Sequence, residues 1–208
     1  LADQEKTGTV RVCDIGLTDQ DLPEEKEGSF LWAEEGDLPA LLPKRKQNAH
    51  KGDCGHVLLY AGSRGMAGAA AMAAKACLRG GAGRVTIACD PDIEPILQTL
   101  VPNAMCSRID RAGEIAYSVL AAGCGLGRSL EKWEHLCCLL DRGFPAVLDA
   151  DALTMLAEHP LRLSPHTVLT PHVGEAARLL HISNQEVLND QVAAARRIHQ
   201  KYGGAVLL

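Results

Sequence analysis

Two glycine-rich segments have the composition of turns that bind a phosphorylated ligand. Residues 62–70 are GSRGMAGAA and residues 123–130 are GCGLGRSL, and each follows a short apolar run. Glycine allows tight turns and close approach of the backbone to a ligand, and a following helix offers unpaired N–H groups to an anion. The first segment lacks the Gly-Lys-Ser/Thr of a Walker A loop, and the second has Leu130 where a dinucleotide fingerprint needs its third glycine. A turn without any ligand is the structural alternative for the first segment.

Two carboxylates stand where a third apolar run ends. In VLDADALTML, Asp149 closes a run of strand type and Asp151 opens a helix. Aspartate at a helix start is most often an N-cap, which is the structural interpretation of Asp151. Two carboxylates at the carboxyl end of a strand also suit a hydroxyl, a water or Mg²⁺. The pattern favours the functional interpretation for Asp149 and the structural one for Asp151.

A histidine and a cysteine complete the set of candidate groups. His172 follows the run TVLTP and precedes a helix that begins at Gly174, so we expect it to be exposed in a turn with little to pack against. The other seven histidines lack such a placement, and we interpret them as surface or packing residues. Cys124 lies in the second glycine-rich segment, but no base is evident beside it, so we do not predict a nucleophile.

All these segments fall at the ends of predicted strands. Apolar runs predict strands at 56–62, 84–89, 117–123, 146–150, 167–171 and 205–208, with shorter ones at 9–15 and 30–32. Helices are predicted at 67–81, 91–100, 130–143, 151–159, 174–181 and 184–203. The alternation predicts an α/β fold with a mostly parallel sheet and helices on both faces. Ligands bind such sheets at the carboxyl ends of the strands, where the candidate residues stand.

Composition narrows the class of protein. The 208 residues, 47% hydrophobic and 23% charged, suit one domain or slightly more. A net charge of −5 without a large basic cluster argues against a nucleic-acid partner. No C-x-x-C or zinc-ligand spacing occurs among the eight cysteines, which predicts reduced thiols and no protein-bound metal. No apolar segment is long enough to cross a bilayer and no signal peptide opens the chain, so we expect a cytoplasmic protein without a membrane partner.

In combination, the four segments resemble the NAD(P)H-hydrate dehydratase family, a branch of the ribokinase-like fold. Residues 50–88, from HKGDCG to GRVTIA, look like that family's opening, and AAGCGLGRS, VLDADALTML and VLTPHVGEAARLL follow in the family's order. The resemblance covers residues 50–208. Residues 1–22 resemble the tail of the epimerase domain that precedes this dehydratase in bifunctional repair enzymes, which leaves 23–49 as a connector. Two residues depart from the family pattern: Cys124 and Val173 stand where proline is usual.

The resemblance implies a reaction and a set of site residues. The family uses ADP or ATP with Mg²⁺ to phosphorylate the ring hydroxyl of NADH or NADPH hydrate and then eliminates phosphate, which restores the cofactor. Ala69 would contact the hydrate through its backbone, Gly125 and Gly127 would let it lie on the second loop, and His172 would hydrogen-bond it. Asp149 and Asp151 are our own candidates for polar support or a metal-linked water.

The resemblance also implies that part of the machinery lies elsewhere. The family's Lys-Gly nucleotide segment and its Gly-Gly-x-Gly-Asp motif, which carries the catalytic aspartate, are expected beyond Leu208. The chain by itself is then expected to be inactive, with a sheet that is incomplete at the C-terminal end, and the whole enzyme to be a homo-oligomer. Two other functions remain open at this point: a ribokinase-like kinase for a small alcohol, and a non-catalytic nucleotide-binding module.

Overall fold

The computed structural model describes residues 11, 13, 15, 16, 35–42 and 47–208. These residues belong to two compact units, one within residues 1–45 and the other within 46–208. The first contains a 3₁₀ turn, Glu35–Asp37, and a short exposed helix α1, Leu38–Leu41. The strand predicted at 30–32 lies outside the described residues, as does most of the one predicted at 9–15.

The second unit is built on a parallel sheet whose short strands are rich in buried apolar residues. Its seven strands have the spatial order β3-β2-β1-β4-β5-β6-β7, and all six neighbouring pairs are parallel. This arrangement confirms the predicted parallel sheet. The strands are β1 His56–Tyr60, β2 Arg84–Cys89, β3 Met105–Arg108, β4 Val119–Ala122, β5 Ala146–Leu148, β6 Thr167–Leu169 and β7 Ala205–Val206.

Helices cover both faces of this sheet, as predicted. Side chains alternate along a strand, and Leu58 and Tyr60 of β1 lie in one apolar core whereas Leu59 lies in a second. The second core receives helices α2 and α3, and the first receives α4 to α8. The helices are α2 Ala67–Arg79, α3 Glu94–Leu100, α4 Leu130–Leu140, α5 Asp151–Glu158, α6 Val173–Leu180, α7 Asn184–Asn189 and α8 Gln191–Tyr202. Among the described residues, no helix combines the length and apolar character that crossing a bilayer requires.

Two elements differ from the prediction. Strand β3 was not predicted; it is an edge strand with the sequence MCSR, and none of its residues is fully buried, so it lacks an apolar run. The single helix predicted at 184–203 is two helices. Asp190 leaves the helical conformation (φ −153°, ψ 87°), and its carboxylate accepts the N–H of Ala193 at 2.8 Å, so it begins a new helix.

The strand order reverses beside β1, and a ligand crevice is expected at that point. The chain moves from β1 through β2 to β3 on one side and from β4 through β5 to β7 on the other. The loops after the adjacent strands β1 and β4 therefore diverge, which is the topological switch point where open α/β sheets bind ligands. The two glycine-rich segments are these two loops.

Candidate functional site

The first loop, residues 62–66, joins β1 to helix α2 by a turn that requires glycine. Gly62 has φ +86°, and a Cβ there would lie 2.9 Å from both the Ala70 Cβ and the Ile93 Cδ1. The Met66 N–H donates to the Ser63 carbonyl at 2.8 Å and closes the turn. Helix α2 then begins without a side-chain cap, and among the described residues the N–H groups of Ala67 and Gly68 have no acceptor.

The second loop, residues 123–129, packs directly against the first. The Gly62 N–H donates to the Cys124 carbonyl at 3.2 Å, and the Ser63 hydroxyl donates to the Gly125 carbonyl at 3.0 Å. Gly125 has φ +59°, and a Cβ on it would lie 2.8 Å from the Met66 Cβ and 3.0 Å from the Ala69 Cβ. The absent side chain of Gly125 thus makes room for the first loop. Whether it also makes room for substrate stays a prediction.

Ala69 lies at this contact in the first turn of α2 and is half-buried. Its backbone N–H donates to the Met66 carbonyl at 3.2 Å. Ala69 thus lies at the edge of the sheet where the sequence analysis expects the substrate, and its contact with the substrate stays a prediction. The N–H group itself already has a partner.

Two other glycines of the second loop serve close approach between elements. Gly123 has φ +121°, and a Cβ there would lie 1.8 Å from the Asp149 carbonyl oxygen, so the end of β5 can approach the end of β4 this closely only because this residue is glycine. Gly127 has φ +76°, and its Cβ would lie 3.3 Å from the Ser63 Oγ. Its N–H donates to the Asp151 Oδ2 at 2.8 Å.

Asp151 is therefore not an N-cap, and that interpretation is wrong. Ala150 occupies the N-cap position of α5 with φ +48° and makes no side-chain capping bond. Such a conformation is strained for a residue other than glycine. The Asp151 carboxylate instead reaches across to the Gly127 N–H and joins the turn after β5 to the loop after β4.

Asp149 forms a pair with the cysteine of the second loop. The Cys124 Sγ lies 3.8 Å from the Asp149 Oδ2, and the thiol is the donor. Burial, and then the nearby Asp149 carboxylate, raise the pKa of Cys124 to about 11, so the thiol stays protonated near neutral pH. This arrangement agrees with the prediction that Cys124 is not a nucleophile. The second oxygen of Asp149 has no hydrogen-bond partner among the described residues and can accept one from a ligand.

His172 lies after β6 and has a structural contact that the sequence analysis did not predict. It is the N-cap of helix α6: its Nδ1 accepts the Gly174 N–H at 3.0 Å, and its own N–H donates to the Glu175 Oε2 at 3.0 Å. The side chain is nevertheless 71% exposed. The His172 Nε2 lies 3.4 Å from the Glu175 Oε1, so the carboxylate of Glu175 faces both the backbone N–H and the ring of His172.

The four predicted segments thus lie at one edge of the sheet. They follow β1, β4, β5 and β6, which are consecutive neighbours, and the first three are joined by the hydrogen bonds described above. Adjacent strands are about 4.8 Å apart, so the edge from β1 to β6 spans about 14 Å. His172 lies at the far end of this edge, and among the described residues it makes no hydrogen bond to the two glycine loops.

Sequence reasoning missed an ion pair at the same edge. The Lys132 Nζ lies 2.9 Å from the Asp90 Oδ1, and it donates to the Leu126 carbonyl at 2.7 Å. Asp90 directly follows β2, so the rule applied to the other strand ends could have found it. Lys132 has no comparable signal, because a lysine in the first turn of an amphipathic helix is usually a solvated residue.

The described residues contain no group of three or more His, Cys, Asp or Glu side chains that could hold a metal ion. Mg²⁺ is commonly bound by one or two carboxylates together with substrate phosphates and water. Asp149, with one uncommitted oxygen at the crevice, fits that kind of shared site. Each glycine loop also carries one exposed arginine, Arg64 in the first loop and Arg128 in the second.

Comparison with known proteins agrees with this geometry. A family model described as NAD(P)H-hydrate dehydratase matches residues 57–208. The bifunctional NAD(P)H-hydrate repair enzyme of Coxiella burnetii is 44% identical over 173 residues, which cover 81% of this chain and 35% of that protein. The ADP-dependent (S)-NAD(P)H-hydrate dehydratase of Listeria monocytogenes is 33% identical over 168 residues, which cover 75% of this chain and 60% of that protein. The chain thus spans about a third of the length of the bifunctional relatives it matches.

Solved structures share the fold. The ADP/ATP-dependent NAD(P)H-hydrate dehydratase of Bacillus subtilis, co-crystallised with ATP/Mg²⁺, has a TM-score of 0.76 and 30% identity, over 84% of this chain and 65% of that one. A ribokinase-like superfamily protein of Enterococcus faecalis has a TM-score of 0.70 and 26% identity, over 79% and 61%. These structures confirm the predicted ribokinase-like fold. Together with the family model, they establish that the chain belongs to the NAD(P)H-hydrate dehydratase family.

Proposed function

We propose that the protein containing this chain converts NADH or NADPH hydrate back to the working cofactor, at the expense of ADP or ATP. The observation that carries the proposal is the pair of glycine loops interlocked at the switch point between β1 and β4, in a chain of the dehydratase family. A phosphorylated ligand suits this place because backbone N–H groups and a helix N-terminus can hold its charge.

The chain's own residues bind and orient the substrate. The N-terminal end of α2 and the second loop face the crevice that an anionic ligand would enter, and Arg64 and Arg128 offset its charge. Gly125, Gly127 and the backbone of Ala69 provide the surface on which the hydrate lies. The Nε2 of His172 donates a hydrogen bond to it at the far end of the edge.

The carboxylates have separate roles in this proposal. Asp151 is committed to the Gly127 N–H and supports the loop. Asp149 keeps one oxygen free to accept a hydrogen bond from a hydroxyl or a water. In this proposal the base that takes the proton of the ring hydroxyl is the aspartate of the family's Gly-Gly-x-Gly-Asp motif, which does not occur within residues 1–208.

ADP or ATP with Mg²⁺ supplies the phosphoryl group that turns the ring hydroxyl into a leaving group. The Bacillus subtilis relative was co-crystallised with ATP/Mg²⁺, and the Listeria monocytogenes relative is named as ADP-dependent, which supports this choice. Asp149 and the backbone donors of the crevice fit a shared magnesium and phosphate site. Catalysis of phosphoryl transfer is mostly positioning and neutralisation of charge, which such groups provide.

The same proposal covers the rest of the protein. Residues 1–22 are the tail of an epimerase-type domain and residues 23–49 a connector to the dehydratase domain at 50–208, as in the bifunctional repair enzymes that the chain resembles. The protein acts in the cytoplasm as a homo-oligomer in metabolite repair. Size measurement of the full natural protein in solution tests the oligomeric part.

The test is a product analysis with the full natural protein. It is incubated with NADPH hydrate, Mg²⁺ and either ADP or ATP, and both the restored NADPH and the released phosphate are measured. We expect equal amounts of the two, and only in the presence of nucleotide. A stable phosphorylated alcohol without restored cofactor would instead identify a kinase. Nucleotide binding with neither product would identify a non-catalytic module.

A further inference from the structure

The peptide group that joins Leu126 to Gly127 is held at both ends by a charged side chain. The Lys132 Nζ donates to its carbonyl oxygen at 2.7 Å, and its N–H donates to the Asp151 Oδ2 at 2.8 Å. Both distances are typical of charge-assisted hydrogen bonds. The oxygen is the negative end of the peptide dipole and the N–H the positive end, so the ammonium and the carboxylate each face the end that they stabilise.

Lys132 also connects this peptide group to the first loop. Its Nζ donates to the Asp90 Oδ2 at 3.0 Å and lies 2.9 Å from the Asp90 Oδ1, so the ammonium pairs with the carboxylate of Asp90 as well as with the Leu126 carbonyl. The Asp90 N–H in turn donates to the Gly62 carbonyl at 3.2 Å. The Lys132 and Asp90 side chains are only 16% and 26% exposed, so solvent screens their attraction incompletely. One ammonium thereby bridges the loops on both sides of the crevice.

The neighbouring peptide groups of the second loop are held as well. The Gly125 carbonyl accepts from the Ser63 hydroxyl at 3.0 Å, and the Leu126 N–H donates to the Gly123 carbonyl at 3.1 Å. The N–H groups of Cys124, Gly125, Arg128 and Ser129 have no backbone or side-chain acceptor among the described residues. The loop is thus fixed through hydrogen bonds to the polar groups at its centre, while four N–H donors stay unpaired.

We propose that Lys132 is a positioning residue that acts with Asp90 and Asp151 to orient the peptide group between Leu126 and Gly127. This keeps the free N–H donors of the second loop in place for the anionic substrate. The inference rests on the proposed function in one respect: it assumes that the second loop is part of the substrate site. The orientation of the loop itself is independent of any ligand and can be measured without one.

The first experiment measures amide hydrogen exchange in the ligand-free full natural protein. Lys132→Met removes the ammonium, and the matched control is Lys201→Met, because the Lys201 Nζ likewise donates to a backbone carbonyl, that of Leu179, at 2.8 Å. We expect exchange of the Leu126 and Gly127 amides to rise about tenfold in Lys132→Met and to stay unchanged in Lys201→Met.

The second pair of variants tests the other end of the peptide group. Asp151→Ala removes the acceptor of the Gly127 N–H, and its control is Asp190→Ala, because the Asp190 Oδ1 accepts the Ala193 N–H at the same 2.8 Å but only within its own helix turn. Both variants lose one aspartate hydrogen bond of equal length. Only Asp151→Ala is expected to release the second loop.

The kinetic readout separates positioning from plain stability. With NADPH hydrate as the varied substrate, Lys132→Met is expected to raise KM about tenfold and to change kcat less than about threefold. Lys132→Arg keeps the charge and donors for Asp90 and Leu126, so it should recover most of the wild-type KM. Lys201→Met and Asp190→Ala should keep the wild-type KM even where they lower the melting temperature.

The outcomes decide the proposal as follows. The proposal is overturned if amide exchange and KM in Lys132→Met equal those in Lys201→Met. If exchange is faster in Lys132→Met but KM is unchanged, Lys132 orients the loop without affecting substrate binding, and that part of the proposal is overturned. If Lys132→Met fails to fold, Asp90→Asn takes its place. Exchange of the Leu126 and Gly127 amides is then expected to rise about threefold, and unchanged exchange would contradict a bridge through Lys132. A wild-type protein that does not act on NADPH hydrate refutes the proposed function, and the exchange result then still decides whether Lys132 orients the loop.

Discussion

Replacing Gly125 with alanine tests whether the two glycine loops are packed against each other as described. Alanine at φ +59° costs about 1–2 kcal/mol for a left-handed conformation. The new Cβ would also lie 2.8 Å from the Met66 Cβ, 3.0 Å from the Ala69 Cβ and 3.1 Å from the Met66 carbonyl oxygen. None of these atoms is the movable end of a flexible side chain, so the overpacking adds about 1–3 kcal/mol.

Gly143→Ala is the matched control. Gly143 has φ +76°, and no atom lies within 4 Å of the Cβ that alanine would add, so this variant has the backbone cost without the contact. The free energy of unfolding should fall by about 1–2 kcal/mol in Gly143→Ala and by about 2–5 kcal/mol in Gly125→Ala. For a domain of this size the difference is worth about 2–12 °C in melting temperature.

The assay is thermal unfolding of both variants, followed by kinetics with NADPH hydrate. Gly125→Ala should melt below Gly143→Ala and show a raised KM, because the loops must separate to admit the methyl group. Equal melting temperatures, with a raised KM in Gly125→Ala alone, would refute the reasoning. That result would mean that Gly125 faces the ligand and not the first loop.

Three further predictions concern single side chains. His172→Ala removes the N-cap bond to Gly174, so it should lower the free energy of unfolding by about 1 kcal/mol and should also raise KM. His172→Asn should restore the melting temperature, because asparagine caps helices, but it should not restore KM, because asparagine lacks the Nε2 donor. Burial, and then the charge of Arg84, lower the pKa of His56 below its ordinary value of 6.5. Because the unfolded chain then binds the proton at a higher pH than the folded chain does, the free energy of unfolding should fall as the pH drops below 6.5. Denaturant unfolding on either side of that pH checks this, and His56→Gln should flatten the dependence. Cys124, with a pKa of about 11, should resist alkylation at mildly alkaline pH while the exposed Cys138 reacts, as mass spectrometry would show.

The buried strands were predictable because their pattern is local. Runs such as His56–Tyr60 and Arg84–Cys89 are rich in buried apolar residues, since both faces of the sheet are covered. Strand β3 escaped because an edge strand needs little apolar surface, and its sequence MCSR has no periodicity. The helix break at Asp190 escaped because the apolar spacing continues across it.

The position of the site could be predicted from the sequence, but the contacts between its residues could not. Parallel topology puts every strand end at one edge, so Asp149, His172 and the glycine loops could be assigned there from the sequence. The partners across the edge are far apart in the chain: Asp151 and Gly127 are 24 residues apart, and Lys132 and Asp90 are 42 residues apart. No sequence spacing encodes such pairs, and for that reason Asp151 was mistaken for a helix cap.

The central claim is that NAD(P)H hydrate binds at the carboxyl ends of the strands, against the two interlocked loops that follow β1 and β4. A crystal structure of the full natural protein with bound NADPH hydrate tests it most directly. We predict the hydroxylated ring or its phosphates against Ala69, Gly125 and Gly127, with His172 within hydrogen-bonding distance of the ligand. A hydrate bound at the opposite edge of the sheet, or away from both glycine loops, would contradict the account.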